Sequence, residues 1–332
     1  MTSLTKGIFI VGAKRTPFGT FGGKLAKSHI TDLQVIASKG ALAAANVKPE
    51  LVDTVVIGNV IPSVAADGGF LARHVLLKSG IPLEKPAFSV NRLCGSGFQS
   101  LINGLQDITT GVAEIALTGG VENMSASPYI VRNIRFGNIP LGVSPVLEDN
   151  VTVSGLDTMC GLTMALTAEK LGEQFKLSRD EVEQFSFSSQ QRWKAAQDAG
   201  KFKDEIVPVP IKEKKEMVNF EVDEHPRPWT TLDMLKKLPT IFKKDGLVTA
   251  GTASINEAFG AQTLACAKDL KLDMNKLNVN GGAIALGHPL AASGSRIIGH
   301  LVYELKRRNA KYGIGSACIG GGQGIAVMIE NL

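Results

Sequence analysis

The feature that most constrains this chain is a repeat. "AFSVNRLCGSGFQSLINGLQD" (87–107) and "KLNVNGGAIALGHPLAASGSRIIGHLVYELKRR" (276–308) follow one plan. Each has a strand-like run, Val-Asn, a glycine-rich turn bearing one reactive side chain, and then a helix. "AEIALTGG" (113–120) and "KYGIGSACIGGG" (311–322) repeat a second plan, a strand ending in paired glycines. A unit that recurs is an internal duplication, and its copies bury their apolar faces together. In the first copy, "IFIVGA" (8–13), "TVVIGNV" (54–60), "AFSVNRL" and "EIALTGG" alternate with amphipathic stretches near 30–46 and 69–79. Such alternation implies an α/β fold with a mostly parallel sheet and helices on both faces.

The two copies differ in length. From Ile8 to Asn91 the chain runs 84 residues, whereas from Asn256 to the equivalent Asn280 it runs 25. One strand, its helix and a second strand of the first copy have no counterpart, so the second half reads as truncated. Between the copies, 121–247 changes character: "SRDEVEQFSFSSQQRWKAAQDAG" is a surface helix and the rest is rich in loops. The expected division is 1–120, a first half; 121–247, an insertion; and 248–332, an incomplete second half.

Composition narrows the functional classes. A chain of 332 residues with 44% hydrophobic and 20% charged residues is ordinary for a globular protein. No apolar run approaches the ~18 residues that suggest a membrane span. A net charge of +5, without basic runs interleaved with aromatics, does not point to nucleic acid. Four cysteines, Cys94, Cys160, Cys266 and Cys318, lack CxxC spacing. That argues against a zinc site and a disulfide framework and for a reducing compartment. No acidic residue precedes Asp32, while Lys6, Lys14, Arg15, Lys24 and Lys27 do. This is the composition of an organelle transit segment, although "GIFIVGAKRTPFG" also reads as a first core strand with surface charges around it.

The chemistry gathers at strand ends, where α/β folds place their sites. Cys94 follows a strand and opens a helix, where free N–H groups and the helix dipole favour a thiolate. Alone it reads first as a small core cysteine. His288 occupies the equivalent turn of the second copy; a lone histidine is most often structural. Cys318 ends a strand before three glycines whose N–H groups can cradle an oxyanion. Taken together the three form a Cys/His/Cys set suited to nucleophilic acyl chemistry.

At these residues a family resemblance becomes specific. "NRLCGSGFQS", "NEAFG", "GGAIALGHPLAASGSRI" and "CIGGGQG" resemble the four signature blocks of the thiolase family, in the family's order and across nearly the whole chain. "AKRTPFG", "NIRFGN" and "SQQRWKAAQDAG" resemble its mitochondrial β-oxidation members. The resemblance implies a thiolase-like fold: two duplicated layered α/β halves, with mixed sheets and helices on both faces, plus a loop domain over coenzyme A. It implies thiolysis of a 3-ketoacyl-CoA with coenzyme A, reversible as a Claisen condensation, in the mitochondrial matrix. The partners implied are acyl-CoA and coenzyme A as substrates, with assembly as a dimer or tetramer. No permanently bound cofactor and no metal are implied.

Residue by residue, Cys94 would be the nucleophile that accepts the acyl group. His288 would deprotonate it and help bind the thioester oxygen. Cys318 would serve as acid and base toward coenzyme A or the α-carbon of acetyl-CoA. Asn256 would hold the water of one oxyanion hole, and the N–H groups of Cys94 and Gly320 would form the other. Arg227, Thr230 and Ser254 match positions that contact coenzyme A, and Ala258, Phe259 and Met164 would wall the pantetheine. Decarboxylating condensing enzymes use Cys-His-His or Cys-His-Asn sets, and the second cysteine in "CIGGG" argues against them. One departure stands out. Several dozen residues of the family pattern lie between the "TAS" serine and "NEAF", yet here Ile255 alone joins Ser254 to Asn256. The alternative expectation is therefore an impaired thiolase remnant that binds coenzyme A or a full-length subunit.

Overall fold

The computed structural model describes residues 7–137, 139–252 and 259–332. Helix α1 (Ile30–Ala44) leads into strand β1 (Thr54–Gly58), helix α2 (Leu71–Lys78), strand β2 (Ala87–Val90), helix α3 (Ser96–Thr109) and strand β3 (Ala116–Gly120). The three strands form one parallel sheet in the order β2-β1-β3. Every residue of the central strand "TVVIG" is buried, as a β-branched run covered on both faces must be. The face covers can be read from β3: a Cβ at Gly119 would meet Gln34 of α1, whereas one at Gly120 would meet Ala291 and Gly97 on the opposite side.

The middle of the chain is built from short hairpins and helices. Strand β4 (Tyr129–Ile130) pairs with β5 (Glu148–Asp149), followed by helix α4 (Asn150–Ser154) and the pair β6 (Leu156–Asp157) with β7 (Leu162–Thr163). Helix α5 (Met164–Gln174) precedes α6 (Arg179–Asp198), which starts on a Ser178–Glu181 capping box. Its stretch was expected at the surface, yet Val182, Phe185, Trp193 and Ala196 are buried, so it is amphipathic. The hairpin β8 (Val209–Glu213)–β9 (Glu216–Phe220) and helix α7 (Leu232–Lys236) complete this region.

The second copy contributes helix α8 (Gly260–Asp269), the short α9 (Ala283–Leu286), the long α10 (Leu290–Arg308) and an antiparallel pair, β10 (Tyr312–Ile319) with β11 (Gln323–Glu330). One face of that pair packs Ile319 and Ile325 against Phe98 and Ile298.

Two sequence expectations are corrected here. The run 8–13 is not a strand, and Phe9, Ile10 and Val11 are exposed. Nor do residues 278–282 form a strand. In both cases no described neighbouring strand supplies ladder partners, and backbone donors are not held extended without them. What anchors the N-terminal segment is Arg15. Its guanidinium, buried, bonds Asp223 at 2.7 and 3.0 Å and Glu205 at 2.8 Å. Among the basic residues before Asp32, Arg15 is thus a structural charge rather than a surface one.

Candidate active site

Cys94 lies between β2 and α3 in a tight turn. Leu93, just before it, adopts the left-handed region at φ +47°, a conformation costing on the order of 1–3 kcal/mol in a non-glycine residue. Side chains hold it there: Asn91 Oδ1 accepts from Leu93 N at 2.9 Å, and Ser96 Oγ accepts from Arg92 N at 2.9 Å while donating to Leu93 O at 2.6 Å. A strained strand-to-helix elbow of this kind presents its next side chain at the sheet's carboxyl edge.

His288 lies in the matching turn between α9 and α10. The two helices α3 and α10 cross at glycines: a Cβ at Gly97 would lie 2.4 Å from Ala291 O, and one at Gly294 would lie 2.4 Å from Phe98 N. Gly97 is three residues past Cys94 and Ala291 three past His288, so the backbone contact joins the first turns that carry the two side chains. The imidazole is buried, and Nδ1 bonds Ser293 Oγ. Nε2 is buried without a hydrogen-bond partner. Burial first, and then the positive charge of Arg296, holds His288 well below its ordinary value of 6.5, so it is a neutral imidazole at physiological pH.

Cys318 ends β10 and faces the same point. A Cβ at Gly95 would meet Ile319 at 2.4 Å, and one at Gly320 would meet Leu93 at 3.0 Å and Met164 at 3.4 Å. The glycine turn after Cys318 is therefore pressed onto the Cys94 elbow. Burial raises the Cys94 thiol above its ordinary value, while the N–H groups of Gly320 and of Cys94 itself, aimed at the sulfur, oppose that rise. Burial and the neighbouring Cys94 push Cys318 up to about 12. Both thiols keep their protons at neutral pH. Met164, at the start of α5, and the buried Phe259 share a small apolar cluster with Cys318.

Cys94, Cys318, Gly320, Met164 and Phe259 are thus brought together from distant parts of the chain, and the helix that follows His288 packs on the helix that follows Cys94. Arg227 and Thr230 lie in the loop before α7. Arg227 is exposed and its backbone N–H donates to Gln190 Oε1 at 2.8 Å; Thr230 is buried, with its N–H on Arg227 O at 3.0 Å. Ser254, Asn256 and Ala258 lie outside the described residues. Among those described, no group of three or more His, Cys, Asp or Glu side chains could hold a metal.

Two residues went unremarked in the sequence. Glu122 follows β3, and its carboxylate accepts from Val60 N, Ile61 N and the Asn59 amide at 3.0 Å and from Ala291 N at 3.4 Å. It ties the β1 loop to the first turn of the His288 helix, and burial pushes it up to about 7. The available signal was an acid directly after a buried strand. Gln262, in the first turn of α8, hydrogen-bonds Cys318 through its side chain.

The model of the thiolase N-terminal domain matches residues 8–265, and that of the thiolase C-terminal domain matches 228–331. Human mitochondrial 3-ketoacyl-CoA thiolase is 48% identical over 396 aligned residues, covering 99% of each chain. The crystal structure of the human mitochondrial enzyme superimposes with a TM-score of 0.97 at 47% identity, over 99% of this chain and 100% of that one. Its complex with CoA gives 0.95 at 47% identity, over 99% of each. An alignment of 396 positions against a chain of 332 residues leaves at least 64 internal positions that face no residue here.

Proposed function

Because this chain belongs to the thiolase family, we propose that it transfers acyl groups through Cys94, cleaving a 3-ketoacyl-CoA with coenzyme A to acetyl-CoA and a shortened acyl-CoA. The observation that supports this reading is the meeting of the Cys94 elbow with the Cys318 thiol, with the Gly320 N–H aimed at the Cys94 sulfur, beside an unpartnered His288 Nε2 in the matching turn. Each group then has a task suited to its resting state. Neutral His288, with Nδ1–H donated to Ser293, takes the Cys94 proton at Nε2 as sulfur attacks the 3-keto carbon. The N–H groups of Cys94 and Gly320 receive the oxyanion. When the C2–C3 bond breaks, the Cys318 thiol protonates the departing carbanion of acetyl-CoA. The resulting thiolate takes the proton of coenzyme A, whose sulfur attacks the acyl-Cys94; Cys94 leaves and recovers its proton from His288. Protons and bonds balance over the cycle.

Arg227, exposed, suits the nucleotide phosphates of coenzyme A. Thr230 and Ser254 join it there, Met164, Ala258 and Phe259 wall the pantetheine, and Asn256 holds the water of the second oxyanion hole. Coenzyme A is then a substrate, and no cofactor is needed. Location in the mitochondrial matrix is supported by the acid-free, basic N-terminal sequence and by mitochondrial relatives. Assembly as a dimer or tetramer belongs to the same reading.

Mass spectrometry after incubation with acyl-CoA tests the assignment: one acyl group on Cys94 is expected, and Cys94→Ser abolishes it. An acyl group on Cys318 would reverse the two roles. Arg227→Ala is expected to raise KM for coenzyme A severalfold with little change in kcat, because it touches a remote phosphate; an unchanged KM returns Arg227 to an ordinary surface charge. A second reading, an impaired remnant, is favoured by the at least 64 unmatched alignment positions, which we place between Ser254 and Asn256. Under it, 3-ketoacyl-CoA absorbance persists with this chain and falls once the segment is restored at that junction.

A further inference from the structure

The ends of β1 and β3 meet the starts of two helices at one junction. A Cβ at Gly58 would lie 2.8 Å from the backbone of Ser96, and one at Gly120 would lie 2.2 Å from Ala291 O and 3.3 Å from Gly97 Cα. Ser96 and Gly97 open the helix behind Cys94, and Ala291 lies in the first turn of the helix behind His288. Glu122 puts a carboxylate into this junction while only 6% exposed. Oε1 accepts from the Asn59 amide and Ile61 N, and Oε2 accepts from Val60 N and Ala291 N. The Asn59 amide also donates to Val121 O at 3.0 Å, which fixes the chain beside the carboxylate. A brace within the sheet would need only the three donors of the β1 loop. The fourth comes from α10, which has no cap of its own: Pro289 stands at its N-cap without a side-chain bond, and its first turn carries no acidic residue. A helix start has unpaired N–H groups and a positive dipole end, and a buried carboxylate from a remote strand answers both.

The charge acts beyond the bonds. All four contacts are N–H donors, an arrangement that an ionised carboxylate completes. Burial, opposed by these donors, pushes Glu122 up to about 7, and its negative charge opposes a thiolate on Cys94. A lone thiolate is opposed more than one paired with imidazolium, because the pair carries no net charge. Around the junction α10 brings Arg296 and, ahead of it, His288, with His225 behind Gly287; Cys318 lies beyond Cys94. The side chains from α1 and the β1 loop, Gln34 and Asn59, are neutral.

We infer that Glu122 is a positioning residue for acyl transfer: its carboxylate registers the first turn of α10, and with it the His288 turn, against the carboxyl ends of β1 and β3 beside Cys94. Its charge then resists ionisation of Cys94 except toward His288. This role presupposes the acyl chemistry assigned to Cys94 and His288, whereas its readouts need no turnover, so acyl labelling and the Glu122 measurements fail separately.

The test reacts the purified 332-residue chain with iodoacetamide at pH values on both sides of the Glu122 ionisation and follows alkylation of Cys94 by mass spectrometry. In the parent, the logarithm of the rate should rise with pH, flatten as Glu122 ionises at about pH 7, and rise again. Glu122→Gln keeps the length and one acceptor oxygen but loses the charge. It should match the parent on the acid side, show no flattening, and react roughly threefold or more faster on the alkaline side, as loss of a nearby like charge requires. Glu122→Asp keeps the charge and loses a methylene of reach. In that variant hydrogen exchange should quicken across 290–293, while 54–58 stays protected as in the parent. Three results would overturn the inference. The first is a parent profile without flattening, which needs no variant to fold. The second is Glu122→Gln no faster than the parent, or faster by the same factor at every pH, the mark of a merely loosened site. The third is unchanged exchange across 290–293 in Glu122→Asp.

Discussion

Two short runs of nearly the same composition meet opposite fates in this molecule. "TVVIG" at β1 is buried throughout, with Ile57 at 0% exposure, paired on both edges and covered on both faces. "IFIV" at 8–11 lies between the same helix layers, yet Phe9 is 59% and Val11 65% exposed, and no ladder forms. β propensity is alike in the two. What differs is the neighbours: a strand is stabilised by cross-strand pairs and by backbone groups that find partners, and among the described residues the run at 8–11 has no strand beside it. The outer face of the second copy shows the same effect, with Ile314 and Met328 paired across β10 and β11 yet exposed.

The contrast can be attacked at its anchor first. Arg15→Ala leaves Asp223 and Glu205 buried without their cation, and losing one partner of a buried ionic network costs ~3–5 kcal/mol. Chemical denaturation should show that loss, whereas Lys14→Ala nearby should not; a change below about 1 kcal/mol would mean that 8–13 is held by something other than Arg15. A sharper comparison sets the two runs against each other. Ile57→Ala should cost ~2–5 kcal/mol through the cavity it leaves, while Phe9→Ala should stay within about 0.5 kcal/mol, as exposed substitutions do. Equal costs would break the distinction drawn here.

The smallest effect is a titration. Arg15, and after it His300, holds Glu205 down to about 2 against an ordinary 4.5, overcoming its burial. A carboxylate depressed in the fold contributes stability that is present above its unfolded value and lost as pH falls through the folded one. Between about pH 4.5 and 2 the chain should therefore lose up to ~1.4 kcal/mol per pH unit from this group. Glu205→Gln should flatten that part of the acid-unfolding curve, and an unaltered slope would remove Glu205 from the network.

How much of this was legible beforehand depended on how local the cause was. The Cys94 elbow, the His288 turn and the Cys318 strand end could be found because each carries glycines and a reactive side chain within a few residues. The repeat placed them at equivalent points. Glu122 was marked only as an acid after a buried strand and Gln262 by nothing adjacent; their partners, Ala291 and Cys318, are remote in sequence. Arg15 was counted as one of several basic residues for the same reason, since Asp223 and Glu205 stand about 200 positions away.

Sequence by itself indicated the α/β class, helices near 30–46 and 69–79 and after the His288 turn, strands within 54–60, 87–93 and 114–120, and a candidate Cys/His/Cys set. Periodicity, glycine placement and residue chemistry are local properties and survive without coordinates. Only the tertiary structure decided which strand-like runs became strands, because a run needs a partner from elsewhere in the chain. Only it showed that α3 and α10 touch at Gly97 and Gly294, that His288 is kept neutral by burial and Arg296, and that among the described residues no strand pairs with 8–13. Close approach and desolvation arise between residues far apart in the chain, and no stretch of sequence contains them.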